Sequence, residues 1–167
     1  SWEDNDIVWL KISDNPETDE DEPEELYTAL HHAREPNSLS QMMLYMWYLL
    51  ENYETDEEVK FLVDNTEMYF MPCLNPDGYK YNEFTDPDGN GYWRKNRRPA
   101  NDPSEVGVDL NRNYGYFWGF DDIGSSANPG SIVYRGPQAF SEPETQAVRK
   151  FCLEHDIKIA LNYHTHG

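Results

Sequence analysis

Cations are scarce in this sequence: 13 Lys and Arg stand against 32 Asp and Glu, a formal net charge of -19 over 167 residues. So acidic a chain repels phosphate backbones and anionic lipid surfaces, and nucleic acid is not expected as a partner. Cysteine is almost missing as well. Cys73 and Cys152 are the two present, neither in a C-x-x-C spacing, which implies neither a disulfide framework nor a thiolate metal site. No apolar run approaches the roughly 18 residues of a membrane span, and the N-terminal residues lack the basic-then-apolar pattern of a signal peptide. Any export signal is therefore expected outside these residues. The metalloprotease helix motif H-E-x-x-H does not occur.

What is present describes a folded domain. Aromatics make up 14% of the chain, with 12 Tyr and 5 Trp, too many for a disordered polymer despite the low mean hydropathy. The length suits one domain over residues 1–167. The acid is partly concentrated in ETDEDEPEE, Glu17 to Glu25, within an acidic loop over about residues 14–25. Such a run reads as a solvated loop, with calcium binding as the alternative.

Four short runs rich in β-branched and aromatic residues read as strands: Ile7 to Ile12, Leu26 to His31, Glu67 to Cys73 and Lys158 to His164. The second and fourth are nearly continuous in apolar character, as expected of strands buried on both faces. Helical patterns lie between them. Asn37 to Tyr53 is apolar on most sides and reads as a well-buried helix; TDEEVKFLVDN opens with Thr55 as its expected N-cap; Ser141 to His155 has Ser141 as cap and Pro143 in its first turn. Strands alternating with helices predict an α/β fold, a mixed and mostly parallel sheet flanked by helices. Residues 75–140 carry most of the glycines and prolines with little periodicity, and predict one long loop region of functional character.

The chemistry gathers in a few places. In HHARE, His32 and Glu35 stand at i and i+3, close enough for an imidazole and a carboxylate to reach one ion. By itself that pair is a weak signal. NYHTHG adds His164 at the end of another strand, with His166 two residues on, and two His plus one Glu leave a fourth zinc position open for water. If the strands ending at His31 and His164 are parallel neighbours, all three donors meet at the carboxyl edge of the sheet, where α/β folds bind ligands. His31 itself is expected to finish its strand and point to the opposite side. YWRKNRRP (Tyr92 to Pro99) and VDLNRNYGYFWG (Val108 to Gly119) set cations beside aromatics, and arginine with asparagine suits a carboxylate. Surface neutralisation of acids is the other explanation of those arginines.

Taken in order, HARE, LNPDGY (Leu74 to Tyr79), YWRKNRR, VDLNRNYGYFWG, YRGPQAFSEPET (Tyr134 to Thr145) and NYHTHG resemble the zinc carboxypeptidase family, most of all its bacterial carboxypeptidase T branch. The resemblance covers about Leu26 to Gly167 and implies a zinc-dependent exopeptidase that releases C-terminal amino acids from peptides and proteins. It implies that His32, Glu35 and His164 are the ligands of one zinc ion and that Arg94 stabilises the oxyanion. It further implies that Asn111 and Arg112 bind the terminal carboxylate, that Arg34 lines outer subsites, and that Asp109 orients His32. A secreted, periplasmic or cell-surface setting follows from the bacterial relatives. Calcium is a further ion of that branch, with no ligands assigned here.

The family's general-base glutamate and capping tyrosine lie well beyond the third zinc ligand. The chain is therefore expected to be the central part of a catalytic domain, truncated at both ends, inactive alone and prone to self-association through an exposed sheet edge. Three rivals stand beside this reading: a non-catalytic zinc module that binds peptide C-termini, a related zinc hydrolase that removes acyl groups from amino acids, and a calcium-binding protein suggested by DPDGNG (Asp86 to Gly91). The last is weakened by Arg97 at the position where an EF-hand needs a bidentate glutamate, and a turn is expected there instead.

Overall fold

Four strands pair in the order β1-β3-β2-β4 in the computed structural model, which describes Ser1 to Thr165. They are β1 (Leu10–Ile12), β2 (Glu24–Ala29), β3 (Glu67–Met71) and β4 (Ile157–Tyr163). β2 runs parallel to both β3 and β4, while β1 pairs antiparallel with β3, so the sheet is mixed and mostly parallel. His166 lies outside the described residues.

Alternation along β3 builds two cores. Met68 and Phe70 face one side, packed with Met42, Met46 and Leu49 of α1 (Pro36–Asn52) and Val59 and Val63 of α2 (Glu57–Val63). Tyr69 and Met71 face the other side, packed with Leu74, Leu110 and, from α4 (Pro143–Glu154), Val148 and Phe151. Helices therefore cover both faces, the α/β architecture expected of alternating elements.

Several local expectations are corrected. The N-cap of α2 is Asp56, whose side chain accepts from the Glu58 and Val59 amides, and Thr55 precedes it. α4 begins at Pro143 with Glu142 in the cap position, and Ser141 instead hydrogen-bonds the Glu142 carboxylate and the Asn113 amide. The long loop region contains a ten-residue helix, α3 (Pro76–Thr85), started by Asn75 capping the Gly78 amide and by Pro76 in the first turn. α3 ends just before DPDGNG, which forms a turn.

Two burial expectations also fail. α1 leaves Met43, Leu44, Trp47 and Leu50 exposed, because the sheet covers one face of that helix and the described residues do not cover the other. β4 is an edge strand with Ile159 and Leu161 exposed, since it pairs with β2 on one side only. β2 is buried as expected but ends at Ala29, two residues before His31. Leu30 follows at φ +57, a left-handed conformation costing about 1–3 kcal/mol in a non-glycine residue, and it swings the chain out of the strand direction.

Candidate metal centre

That bend after Ala29 delivers HHARE to the sheet's carboxyl edge. The Leu30 amide donates to Ser38 Oγ, the Ala33 amide to the Arg94 carbonyl, and Asn75 Nδ2 to the carbonyls of His31 and Lys95. Gly78 completes this anchor, because a Cβ there would lie 2.7 Å from both Asn75 Oδ1 and the Lys95 carbonyl. Glu35 sits at the N-cap position of α1, yet its carboxylate caps nothing in the helix and is free to face the imidazoles. The positive end of α1 favours an anion there.

His164, arriving from the end of β4, meets this group. Its Nδ1 lies 2.9 Å from Glu35 Oε2, while His32 Nδ1 lies 2.8 Å from Glu35 Oε1. One donor atom from each of the three residues fits within 4.8 Å of the others. The far nitrogen of His32 contacts Asp109 Oδ1 at 3.1 Å, and Asp109 is fixed in turn by Arg94, which donates Nε and Nη2 to Oδ2 at 3.1 and 2.9 Å. Two imidazoles and a carboxylate, one imidazole backed by a second carboxylate, form a donor set that fits a divalent metal of borderline softness such as zinc.

The electrostatics follow from packing. Burial pushes the Glu35 carboxyl up, but the His32 charge and hydrogen bonds from His164, His32 and the Thr165 amide outweigh it and hold the group below its ordinary value. Asp109 behaves likewise: burial raises it, and His32 with Arg94 more than reverse that. His31 goes the other way, driven down to about 3 by burial and then by the neighbouring His164 and His32.

The remaining expected residues fall in three places. Arg94 Nη1 stands 3.9 Å from Glu35 Oε1, beside the donors. Asn111 Nδ2 reaches His164 Nε2 at 3.4 Å, and Asn111 with Arg112 lines a cavity of about 400 Å³ walled by Tyr114, Tyr116, Phe117 and Phe120. Arg34 lies elsewhere, half-buried on a cavity shared with Tyr79, Asn82 and Glu83 that none of the three donors lines. His31 corrects its expectation: it does not point away but sits under the site, its ring 5.4 Å from that of His164 and its Nε2 2.8 Å from the Tyr114 hydroxyl. Asn75 is a supporting residue whose sequence signal lies in LNPDGY, an N-cap asparagine followed by proline.

Parallel strands delivering a His/Glu/His donor set, with arginine and asparagine alongside, define an α/β domain with a candidate metal centre. Comparison with known proteins narrows that class. The zinc carboxypeptidase family pattern matches residues 1–167. The chain is 41% identical over 119 residues to a zinc carboxypeptidase of Saccharothrix mutabilis subsp. capreolus, covering 71% of this chain and 26% of that protein. It is 36% identical to carboxypeptidase B of Helicoverpa zea, covering 100% of this chain and 37% of that protein. The crystal structure of carboxypeptidase A from Helicoverpa armigera superposes with a TM-score of 0.78 at 34% identity, over 96% of this chain and 38% of that one. The chain belongs to the zinc carboxypeptidase family and spans well under half the length of these relatives.

Proposed function

We propose that the protein containing this chain is a zinc-dependent exopeptidase that releases C-terminal amino acids, with peptide and protein C-termini as substrates. The observation that carries this reading is the convergence of His32, Glu35 and His164 beside Arg94 and the Asn111–Arg112 cavity. The three residues would hold one zinc. Bound there, zinc polarises a carbonyl and acidifies a water.

The chain's own residues do the rest. Asp109 holds the His32 ring in place through Nε2. Arg94 spends Nε and Nη2 on Asp109, which freezes the guanidinium with Nη1 toward the donors, ready to stabilise a carbonyl oxygen as it gains charge. Asn111 and Arg112 clasp the terminal carboxylate, which makes a free chain end obligatory, and Arg34 contacts residues further up the substrate. Both carboxylates touching His32, Glu35 and Asp109, are already engaged, so neither is free to take a proton from water. This chain alone therefore binds without efficient turnover, the missing proton transfer being worth about 10² to 10⁴ in rate.

Blocked dipeptides with free or amidated C-termini test the proposal in excess zinc. The whole protein should cleave the acid and spare the amide, and equal cleavage of both would sink the exopeptidase assignment. Zinc binding with carboxylate preference but no turnover by the whole protein would instead identify a non-catalytic binding module. Full-rate turnover by the 167-residue chain would overturn its inactivity. An exported setting belongs to the same proposal and is read from the whole protein's N-terminal sequence.

We also propose that the acidic loop takes calcium. Asp19, Glu24 and Glu67 bring oxygen donors within 4.8 Å of one another, where Lys11 Nζ lies 2.7 Å from Glu67 Oε1 and His155 Nδ1 3.4 Å from Glu24 Oε2, so a cation entering here competes with both side chains. An all-oxygen set suits a hard cation. Millimolar calcium should raise the unfolding temperature of the chain but not of Glu24→Gln; no rise in the unaltered chain would refute it.

A further inference from the structure

We propose that Arg135 is a positioning residue for Arg112, acting through the loop Asp121 to Ser125, and thereby sets how tightly the site grips a chain-terminal carboxylate. The inference rests on the carboxylate-clamp reading above. Arg112 does not choose its orientation freely: Nε donates to the Gly124 carbonyl at 2.7 Å and Nη1 to the Asn111 carbonyl at 3.0 Å. Carbonyl contacts orient a guanidinium without cancelling its charge, which leaves it able to attract an anion.

The position of the Gly124 carbonyl then matters. Gly124 adopts φ +74 in open space, with nothing within 4 Å of where a Cβ would sit, so glycine serves the backbone turn and not a tight fit. Apolar packing does not hold this loop, since Phe120 is 77% and Ile123 87% exposed. Arg135 does. Its Nη1 is shared among the Asp121 carbonyl at 3.1 Å, Asp122 Oδ1 at 2.7 Å and Ser125 Oγ at 3.1 Å. Its side chain is only 11% exposed, and its own carbonyl accepts from Trp118 Nε1 and Asn113 Nδ2, which fixes the base of the staple to the folded body. Release of the staple would let the loop wander, and Arg112 would then pay the ordering cost at each binding event.

The test titrates the zinc-loaded chain calorimetrically with N-acetyl-L-phenylalanine and with its amide. The unaltered chain should prefer the acid, and Arg135→Gln should cut that preference roughly tenfold, the size of one lost hydrogen bond to a charged group. Zinc affinity should stay the same. Gly124→Ala, which strains φ without touching Arg135, should act in the same direction and decides the matter if Arg135→Gln fails to fold. An undiminished preference in the folded variants overturns the inference while leaving the clamp intact. No preference for the acid in the unaltered chain removes the clamp itself, and the inference with it.

Discussion

β2 and β4 are neighbours, parallel, similarly apolar, and each leads to an imidazole of the same site, yet they live in different solvents. β2 lies between β3 and β4 with helices over both faces, and His32 beyond it is 3% exposed. β4 lies at the edge, with most of its residues exposed, and the His164 side chain is 30% exposed. The site is thus built from a dry half and a wet half. The dry half holds the supporting contacts, because hydrogen bonds between charged groups gain strength where water is excluded. Apolarity can mark a strand in either setting, but it does not say what covers the strand.

The contrast can be broken most severely at the metal. His32→Ala should take bound zinc, measured by elemental analysis of dialysed protein, from one per chain to none; unchanged stoichiometry would refute the assigned centre. Next comes core against edge. Phe70 is fully buried under α1, and Phe70→Ala should cost about 3–5 kcal/mol in urea unfolding. Leu161→Ala on β4 should cost no more than about 0.5 kcal/mol, as an exposed substitution does. Similar costs at the two positions would mean that β4 is covered in solution, as self-association through the open edge would do.

A third experiment compares the dry interior with itself across pH. Glu144, fully buried, shares the Asn96 amide with Glu142, and burial, with lesser pushes from Glu142 and Asp77, raises it from 4.5 to about 7. A carboxyl whose folded value is raised stabilises the fold while protonated. Its contribution is full below about 4.5 and is lost as pH climbs toward 7, on the order of 3 kcal/mol. Urea midpoints should therefore fall less between pH 5 and pH 7.5 for Glu144→Gln than for the unaltered chain; parallel slopes would refute the buried-acid account. A narrower effect is expected at Asp109→Asn, which should weaken zinc about 10- to 100-fold by loosening His32. Unchanged affinity would show that the dry half does not orient its imidazole.

Much of the fold was legible because it is written in local pattern. Apolar pattern marks the four strands, α1, α2 and α4 to within a few residues, and β2 and β4, which lead to His32 and His164, pair in parallel. α3 is hard to see in the sequence because its ten residues carry little apolar periodicity, although Asn75 and Pro76 announce its start. The caps lie one residue from their expected places: Asp56 rather than Thr55 accepts the first amides of α2, and Ser141 turns its hydroxyl to Glu142 and Asn113, leaving α4 without a side-chain cap. His31 escapes strand alternation because a left-handed Leu30 ends the regular geometry before it.

The sequence by itself determined which donor types exist, their spacing in HHARE and NYHTHG, and the alternation that divides β3 between two cores. These are properties of residues near one another in the chain, and short-range geometry suffices to express them. Only the tertiary structure decided that Arg94 spends two donors on Asp109, that His31 lies beneath the histidine pair, that Arg135 staples the loop supporting Arg112, and that one of two similar strands stays wet. Each of those depends on which distant segment arrives opposite, and so on desolvation and on competition among partners for the same hydrogen bond.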